Sequence, residues 1–331
     1  MDNRPEHAPP LPEPHILEQA AEWFATLGDE DTGPEQHDRW REWIEDHPEH
    51  RRAWRYVEQI SARFQQARDG AGRDGAGRIL RHTRGERLTR RRLLTGGAAG
   101  LAAWLVWSRT PLPEAGGRLM AELSADQRTA TGEIRDLALP DGGHLWLNSA
   151  SAVDLAYGEA LRRLTLHDGE VLIQTAPDPR QRPFVVDTRH GRLRALGTRF
   201  TVRRHADHSF LAVYEGAVAI RTGNGREAII NAGRQTTFQT DSIHSAGPAD
   251  PARQAWSQGL IVANDLPLGE LVAELARYRH GHLGVDPSVA QLRALGTYPT
   301  GRPEQALAML ENALPVRARR LLPWWVTLVP A

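Results

Sequence analysis

Residues 89–113 read TRRRLLTGGAAGLAAWLVWSRTPLP, and the nature of this stretch decides how the chain on either side folds. Its apolar run extends from Leu93 to Ser108, and Arg109 closes it. As a helix rising 1.5 Å per residue it reaches roughly 24 Å, short of a bilayer core of about 30 Å. Thr95, Gly96, Gly97, Gly100 and Ser108 dilute its leucines. Length alone therefore fits a buried helix or a Gly-rich linker as well as a membrane crossing. The flanks separate these readings. Arg78, Arg81, Arg84, Arg87, Arg90, Arg91 and Arg92 precede the run, whereas only Arg109 and Arg118 follow closely. That asymmetry is the positive-inside pattern, with the N-terminal side cytoplasmic. Trp104 and Trp107 stand at the far end, where indoles favour the lipid–water interface. Pro111 and Pro113 then stop the helix. Thr89–Leu94 resembles a twin-arginine export motif, and no good small-residue cleavage site follows. The expectation is an uncleaved, single transmembrane helix over 93–109, with a cytoplasmic N-terminus and a C-terminus on the far side.

Composition bounds what the two sides can do. The 331 residues have room for several domains and a proper core. Lys+Arg and Asp+Glu both number 41, so no global field draws the chain to nucleic acid. Every basic residue is Arg. Cysteine is absent, which excludes disulfides, thiol catalysis and Cys-ligated metal. The first residues, MDNRPEHAPPLPEPH, are polar and Pro-rich rather than a secretory signal.

On the inner side, residues 16–66 read as helices. Ile16, Ala20, Trp23 and Leu27 recur at helical spacing. Thr32 and Glu35, with Pro34 between them, form a capping-box pattern for a second helix carrying Trp40, Trp43 and Ile44. Pro48 fits the first position of a third helix with Ala53, Trp54, Val57, Ile60 and Phe64. Tryptophans in a helical unit this small serve either as its core or as interface residues. The set Trp23, Trp40, Trp43 and Trp54 favours binding of a partner helix. Gly70, Gly72 and Gly75 fit a dinucleotide fingerprint, but a helix precedes them and no βαβ unit surrounds them. Residues 69–92 are read instead as a flexible basic linker to the membrane.

On the outer side the period changes to two. HLWLN, AVDLAY, RRLTLHDGEVLIQT, PFVVDT, GRLRALGTRFTVRR, SFLAVYEGAVAIRT and EAIINAGRQTTFQT read as strands. Turn signals stand at Asp141-Gly142-Gly143, Asp168-Gly169, His190-Gly191 and Asn224-Gly225. Such a series without helices implies an antiparallel sandwich, barrel or β-roll over 118–248. Over 255–331, NDLPLGELVAELARYRHG and TGRPEQALAMLENALP read as Pro-started helices, and HLGVDP and WWVTLVP as strands. These pairs predict a small α+β domain with βαβ-like repeats.

The chemistry-bearing patterns are sparse. The 14 histidines show no metal spacing, and neither a nucleophile elbow nor a P-loop is present. No metal, no cofactor and no conventional enzyme is expected. Gly197-Thr198, within RALGTRFTV, carries two readings. One is an ordinary strand bulge. In the other, the Thr hydroxyl attacks the preceding carbonyl, with Gly permitting the strained backbone, to give an ester that water opens.

With these parts in order, the chain resembles the FecR family of transmembrane sigma-factor regulators. AAEWFATL and WREWIEDHPEHRRAWRYV resemble the family's cytoplasmic domain, taken here as 1–68. LPDGGHLWLNSAS, GEVLIQ, PFVVDT, ALGTRFTV, VYEGAV and AGRQ resemble its β domain. The last segment is similar to a small secretin/TonB N-terminal domain. The resemblance implies a single-pass protein of a bacterial inner membrane with a periplasmic C-terminus. Its helices would bind an extracytoplasmic-function sigma factor through Trp23, Trp40, Trp43 and Trp54. Its periplasmic part would contact the signalling domain of a TonB-dependent outer-membrane transporter, often one for ferric siderophores. Regulated proteolysis would relay the signal, and self-cleavage would fall at Gly197-Thr198. The competing expectation is a twin-arginine-exported periplasmic β protein that binds a glycan or small ligand and is cut after Ser108. An exported hydrolase lacks any residue set to support it.

Overall fold

The computed structural model describes residues 12–28, 32–79 and 125–331. The expected membrane helix at 93–109 lies outside them. No described helix is long and apolar enough to cross a membrane.

Helices α1 (Pro14–Leu27), α2 (Pro34–Asp46) and α3 (Pro48–Ile79) each open on a proline. Proline suits that position because its missing N–H has no intrahelical partner there anyway. The capping box expected at Thr32 does not form. Gly33 is the N-cap of α2 and makes no side-chain bond, while the Thr32 hydroxyl donates back to the Thr26 carbonyl at 2.5 Å. Thr32 stands one residue too early to reach the new helix. The linker expected from residue 69 is also corrected over 69–79, which continues α3. No proline follows Pro48 before Pro111, and glycines weaken a helix without ending it.

Strands β1 (Gln127–Arg128) through β13 (Gly247–Pro248) build one β domain. Its organiser is β5 (Arg162–Gln174). The first half of β5 pairs with β4 (Ala152–Tyr157) and, in parallel, with β6 (Phe184–Thr188). The second half pairs with β3 (His144–Leu147) and β8 (Arg199–Arg204). One strand thus belongs to two faces of a sandwich. Asp168-Gly169, expected to turn the chain, is instead the kink inside β5. Gly169 has φ +84, and a Cβ there would stand 2.2 Å from Ser151 Oγ, so only glycine fits. The core lies between the faces, with Leu145, Leu147, Leu164, Phe184, Phe200 and Val202 among its buried side chains.

Three runs that read as single strands are each broken at a glycine. β7 (Gly191–Ala195) gives way to β8 around Gly197, at φ +80. β9 (Ser209–Glu215) gives way to β10 (Ala217–Thr222) at Gly216, at φ +72. β11 (Glu227–Asn231) gives way to β12 (Arg234–Phe238) around Gly233, at φ +76. β7, β10 and β11 lie on one face, and β8, β9 and β12 on the other. The chain therefore changes sheets three times at one corner. The Ala232 N–H donates to the Gly216 carbonyl and that of Gly233 to the Val213 carbonyl, which ties the crossings together. Alternation alone cannot reveal such corners, because the apolar period continues through them.

The C-terminal domain follows a 3₁₀ helix at Pro251–Gln258. It runs β14 (Leu260–Pro267), α4 (Leu268–Ala276), β15 (His282–Val285), β16 (Arg293–Pro299), α5 (Pro303–Ala313), β17 (Val316–Leu322) and β18 (Trp325–Pro330). This is the expected α+β repeat, with two differences. Residues 264–267 close a strand rather than open a helix, and α4 ends at Ala276 instead of continuing through Tyr278. β16 and β17 were not foreseen. Leu268, Leu271, Leu275, Leu307 and Leu310 fill the core between helices and strands.

Candidate functional site

The four tryptophans of the helical segment are all partly buried. The structure brings two of them, Trp40 and Trp54, together. The rings of Trp40 and Trp54 lie 5.0 Å apart, and Phe24 reaches Trp54 at 5.7 Å. Trp43 stacks on His50 at 4.5 Å, and its Nε1 donates to Gln19 Oε1 at 3.2 Å. The described ring contacts do not include Trp23. Helix α2 has no fully buried residue, although it carries Trp40, Trp43 and Ile44. The Trp40 indole N–H is itself shielded from solvent yet unpaired. A helix with this composition normally buries one stripe.

Another part of the helical segment, against which Phe24 and Trp43 also pack, does find a partner. Ile16, Leu17, Ala20, Ala21, Ala53, Val57 and Ile60 form a cluster with Trp324 and Trp325. Phe24 meets Trp324 edge-on at 5.6 Å, and Glu18 pairs with Arg319. Nothing in the sequence periodicity pointed to this packing.

Gly197 and Thr198 sit at the corner where the chain changes sheets. Gly197 is exposed, and its positive φ is the conformation that an L side chain resists. Thr198 is 4% exposed, and its hydroxyl has no hydrogen-bond partner. An unpaired buried hydroxyl costs about 1–3 kcal/mol and asks for an explanation. Gly216 crowds the Gly197 carbonyl so closely that a Cβ on Gly216 would stand 2.1 Å from that oxygen. A pocket of about 510 Å3 opens beside Gly197, with Thr175 on its wall. The next residue, Arg199, is clamped. Its guanidinium donates to Gln254 Oε1 at 2.8 Å and Gln174 Oε1 at 3.0 Å, and lies 5.3 Å from the Trp146 ring centre.

A third constellation was missed from sequence. LNSAS and GEVLIQ supply Asn148, Ser149 and Glu170, which latch the β domain to the C-terminal domain. Glu170 is 1% exposed and pairs with Arg277 at 2.5 Å. Asn148 donates to Glu170 at 3.0 Å and accepts from the Tyr278 hydroxyl at 2.7 Å. The Ser149 hydroxyl donates to the Arg277 carbonyl. Glu274 joins the latch by pairing with Arg277 at 2.8 Å and Arg203 at 2.5 Å. Burial alone would raise both carboxyls, but the surrounding arginines win. They hold Glu170 below its usual range and bring Glu274 down to about 2. The only sequence signal was a carboxylate at an otherwise apolar stretch of strand. Among the described residues no group of three or more His, Cys, Asp or Glu could hold a metal ion.

These parts define a class of protein: a small helical module with an incompletely covered aromatic helix, and a β sandwich latched to an α+β domain. Residues 125–219 match the model of the FecR protein family, and residues 18–60 match that of DUF4880, a domain of unknown function associated with FecR N-termini. Over these segments the chain is similar to FecR proteins, a family of regulators rather than enzymes. Two crystal structures of a candidate anti-sigma factor from Parabacteroides distasonis ATCC 8503 share the fold. Each is 20% identical, with a TM-score of 0.51, and the match covers 62% of this chain and 98% of that one. No curated protein matches the chain.

Proposed function

We propose that the chain is a signal transducer of a bacterial inner membrane that binds and regulates an extracytoplasmic-function sigma factor. The observation that carries this reading is α2, whose Trp40, Trp43 and Ile44 lie on a helix with no fully buried residue. Tryptophan is a favoured hot-spot residue, and a half-covered aromatic helix gains most from a partner helix. The FecR and DUF4880 matches and the anti-sigma description of the solved neighbour support the same reading. Residues 93–109 are the anchor in this proposal, with α1–α3 in the cytoplasm and residues 125–331 in the periplasm. There the β and C-terminal domains receive the signal from the signalling domain of a TonB-dependent transporter, such as a siderophore transporter, and proteolysis relays it. A span at 93–109 puts α1–α3 and Trp324 on opposite sides of the bilayer. Insertion and their packing therefore exclude one another, and insertion uncovers Ile16, Leu17, Val57 and Ile60 as further partner surface.

The test is a pull-down with tagged residues 1–85 from the native cytoplasm, read by mass spectrometry. One sigma factor should be recovered, and Trp40→Ala or Trp43→Ala should lose it. Recovery of background alone by a folded, helical fragment refutes the reading.

The corner geometry supports self-cleavage between Gly197 and Thr198 as part of this function. The exposed Gly197, its positive φ and the unpaired Thr198 hydroxyl all favour an acyl shift. Wild type should migrate as two fragments on a denaturing gel, and Thr198→Ala as one.

A further inference from the structure

We propose that Thr175 is a working part of the Gly197-Thr198 site, its hydroxyl holding the nitrogen that leaves in the acyl shift. This inference rests on the self-cleavage reading above.

The argument starts from strand register. β5 and β8 are antiparallel, and their last pair is Gln174 with Arg199. The next pair along would be Thr175 with Thr198. In a closely bonded antiparallel pair, both residues exchange N–H to carbonyl bonds. Here one of the two is present: the Thr175 N–H donates to the Thr198 carbonyl at 3.0 Å. The return bond is replaced. The Thr198 N–H donates to the Thr175 hydroxyl at 2.9 Å, and that hydroxyl donates in turn toward the Thr198 carbonyl at 3.2 Å. The amide nitrogen of the Gly197–Thr198 peptide has left the backbone ladder for a side chain.

This exchange suits the chemistry. The Thr198 oxygen bonds to the Gly197 carbonyl carbon, its proton passes to the Thr198 nitrogen, and the carbon–nitrogen bond breaks. The products of that step are an ester through the Thr198 oxygen and a free amine. Water then opens the ester to a Gly197 carboxylate and a Thr198 hydroxyl. Throughout, the nitrogen changes from a planar amide with one N–H to an amine that takes up protons. A ladder carbonyl is fixed in the sheet plane and can only accept. A hydroxyl on a rotatable bond follows the nitrogen as it becomes tetrahedral, and it can both accept and donate. Thr175 also engages both backbone groups of Thr198, whose own hydroxyl stays unpaired and free to attack. The pocket beside Gly197 gives water a route to the ester.

The experiment compares the full chain as wild type, Thr198→Ala, Thr175→Val and Thr175→Ser, following fragment appearance by pulse–chase and denaturing gel. Hydroxylamine, which opens esters directly, reports whether the shift or the hydrolysis limits the rate. Thr175→Val keeps the shape and removes the hydroxyl, so fragment formation should slow by about tenfold or more, the weight of one hydrogen bond to a group gaining charge. Hydroxylamine should not restore it, because the shift itself is slowed. Thr175→Ser should cleave within about threefold of wild type, a change of under 1 kcal/mol. If Thr175→Val cleaves like wild type while Thr198→Ala does not, the role of Thr175 is overturned and self-cleavage stands. If Val and Ser variants slow equally, the hydroxyl is not the agent and the inference is likewise overturned. A wild type that remains one intact chain overturns self-cleavage and this inference with it.

Discussion

Removing the Arg277 guanidinium is the sharpest test of the latch between the β domain and the C-terminal domain. In Arg277→Met the aliphatic stem remains, so packing changes little, while Glu170 loses its 2.5 Å partner and Glu274 its 2.8 Å partner. Breaking one side of a buried pair costs about 3–5 kcal/mol, because the other charge is left uncompensated. Arg253, 3.9 Å from Glu170, softens this toward the lower end. The expectation is a loss of about 3 kcal/mol. For a unit of this size each kcal/mol shifts the melting temperature by about 2–4 °C, so the midpoint should fall by about 6–12 °C. Calorimetry and urea unfolding of the whole protein read it. Glu170→Gln combined with Arg277→Met should lose less than the sum of the single losses, with a coupling of about 2 kcal/mol. The acid limb gives an independent reading. Both carboxyls lie below their usual values when folded, so the unfolded chain binds their protons first. Their contribution is complete above the usual carboxylate pKa of 4.5 and is lost as pH falls toward about 2. Arg277→Met should flatten that limb. A loss under about 1 kcal/mol, the weight of an exposed pair, or strict additivity refutes a buried latch.

Gly216→Ala should destabilise the β domain by about 1–3 kcal/mol in urea unfolding, since φ is +72 and the new Cβ would meet the Gly197 carbonyl. His190, His205 and His282 are each pushed down by burial to about 4 from 6.5. The unfolded chain takes up their protons first, so the urea midpoint should decline as pH falls from about 6.5 to 4, before the carboxylates titrate. The chain has no cysteine, so Phe24→Cys with Trp324→Cys reports on one contact alone. The pair should cross-link with a short bifunctional reagent in protein that has not entered a membrane and fail to do so in inserted protein. Cross-linking of inserted protein at the same yield refutes a span at 93–109.

Much of the fold was legible because it rests on local physics. Prolines at Pro34 and Pro48 set helix starts through their fixed φ and missing N–H. Period-two runs marked the β domain, and Pro303 with Ala306, Leu307 and Leu310 marked α5. Residue chemistry drew attention to the tryptophans and to Gly197-Thr198, and the family resemblance supplied their expected sigma-binding and self-cleavage roles. What the sequence determined by itself is therefore the list of parts: helices, then strands, then an α+β repeat, with a basic apolar segment between.

The rest depended on atoms brought together from far along the chain. Asp168-Gly169 has the chemistry of a turn, and only the approach of Ser151 makes it a kink within β5. Gly197, Gly216 and Gly233 look like strand residues, and only the closing of two sheets makes them corners. Glu170 and Arg277 are separated by more than a hundred residues, so neither announces the other, and their charges survive burial because folding pairs them. The same holds for Thr175 and Thr198, which strand register alone places side by side. A side chain's type is written in the sequence, but its hydrogen-bond partner is chosen by the fold.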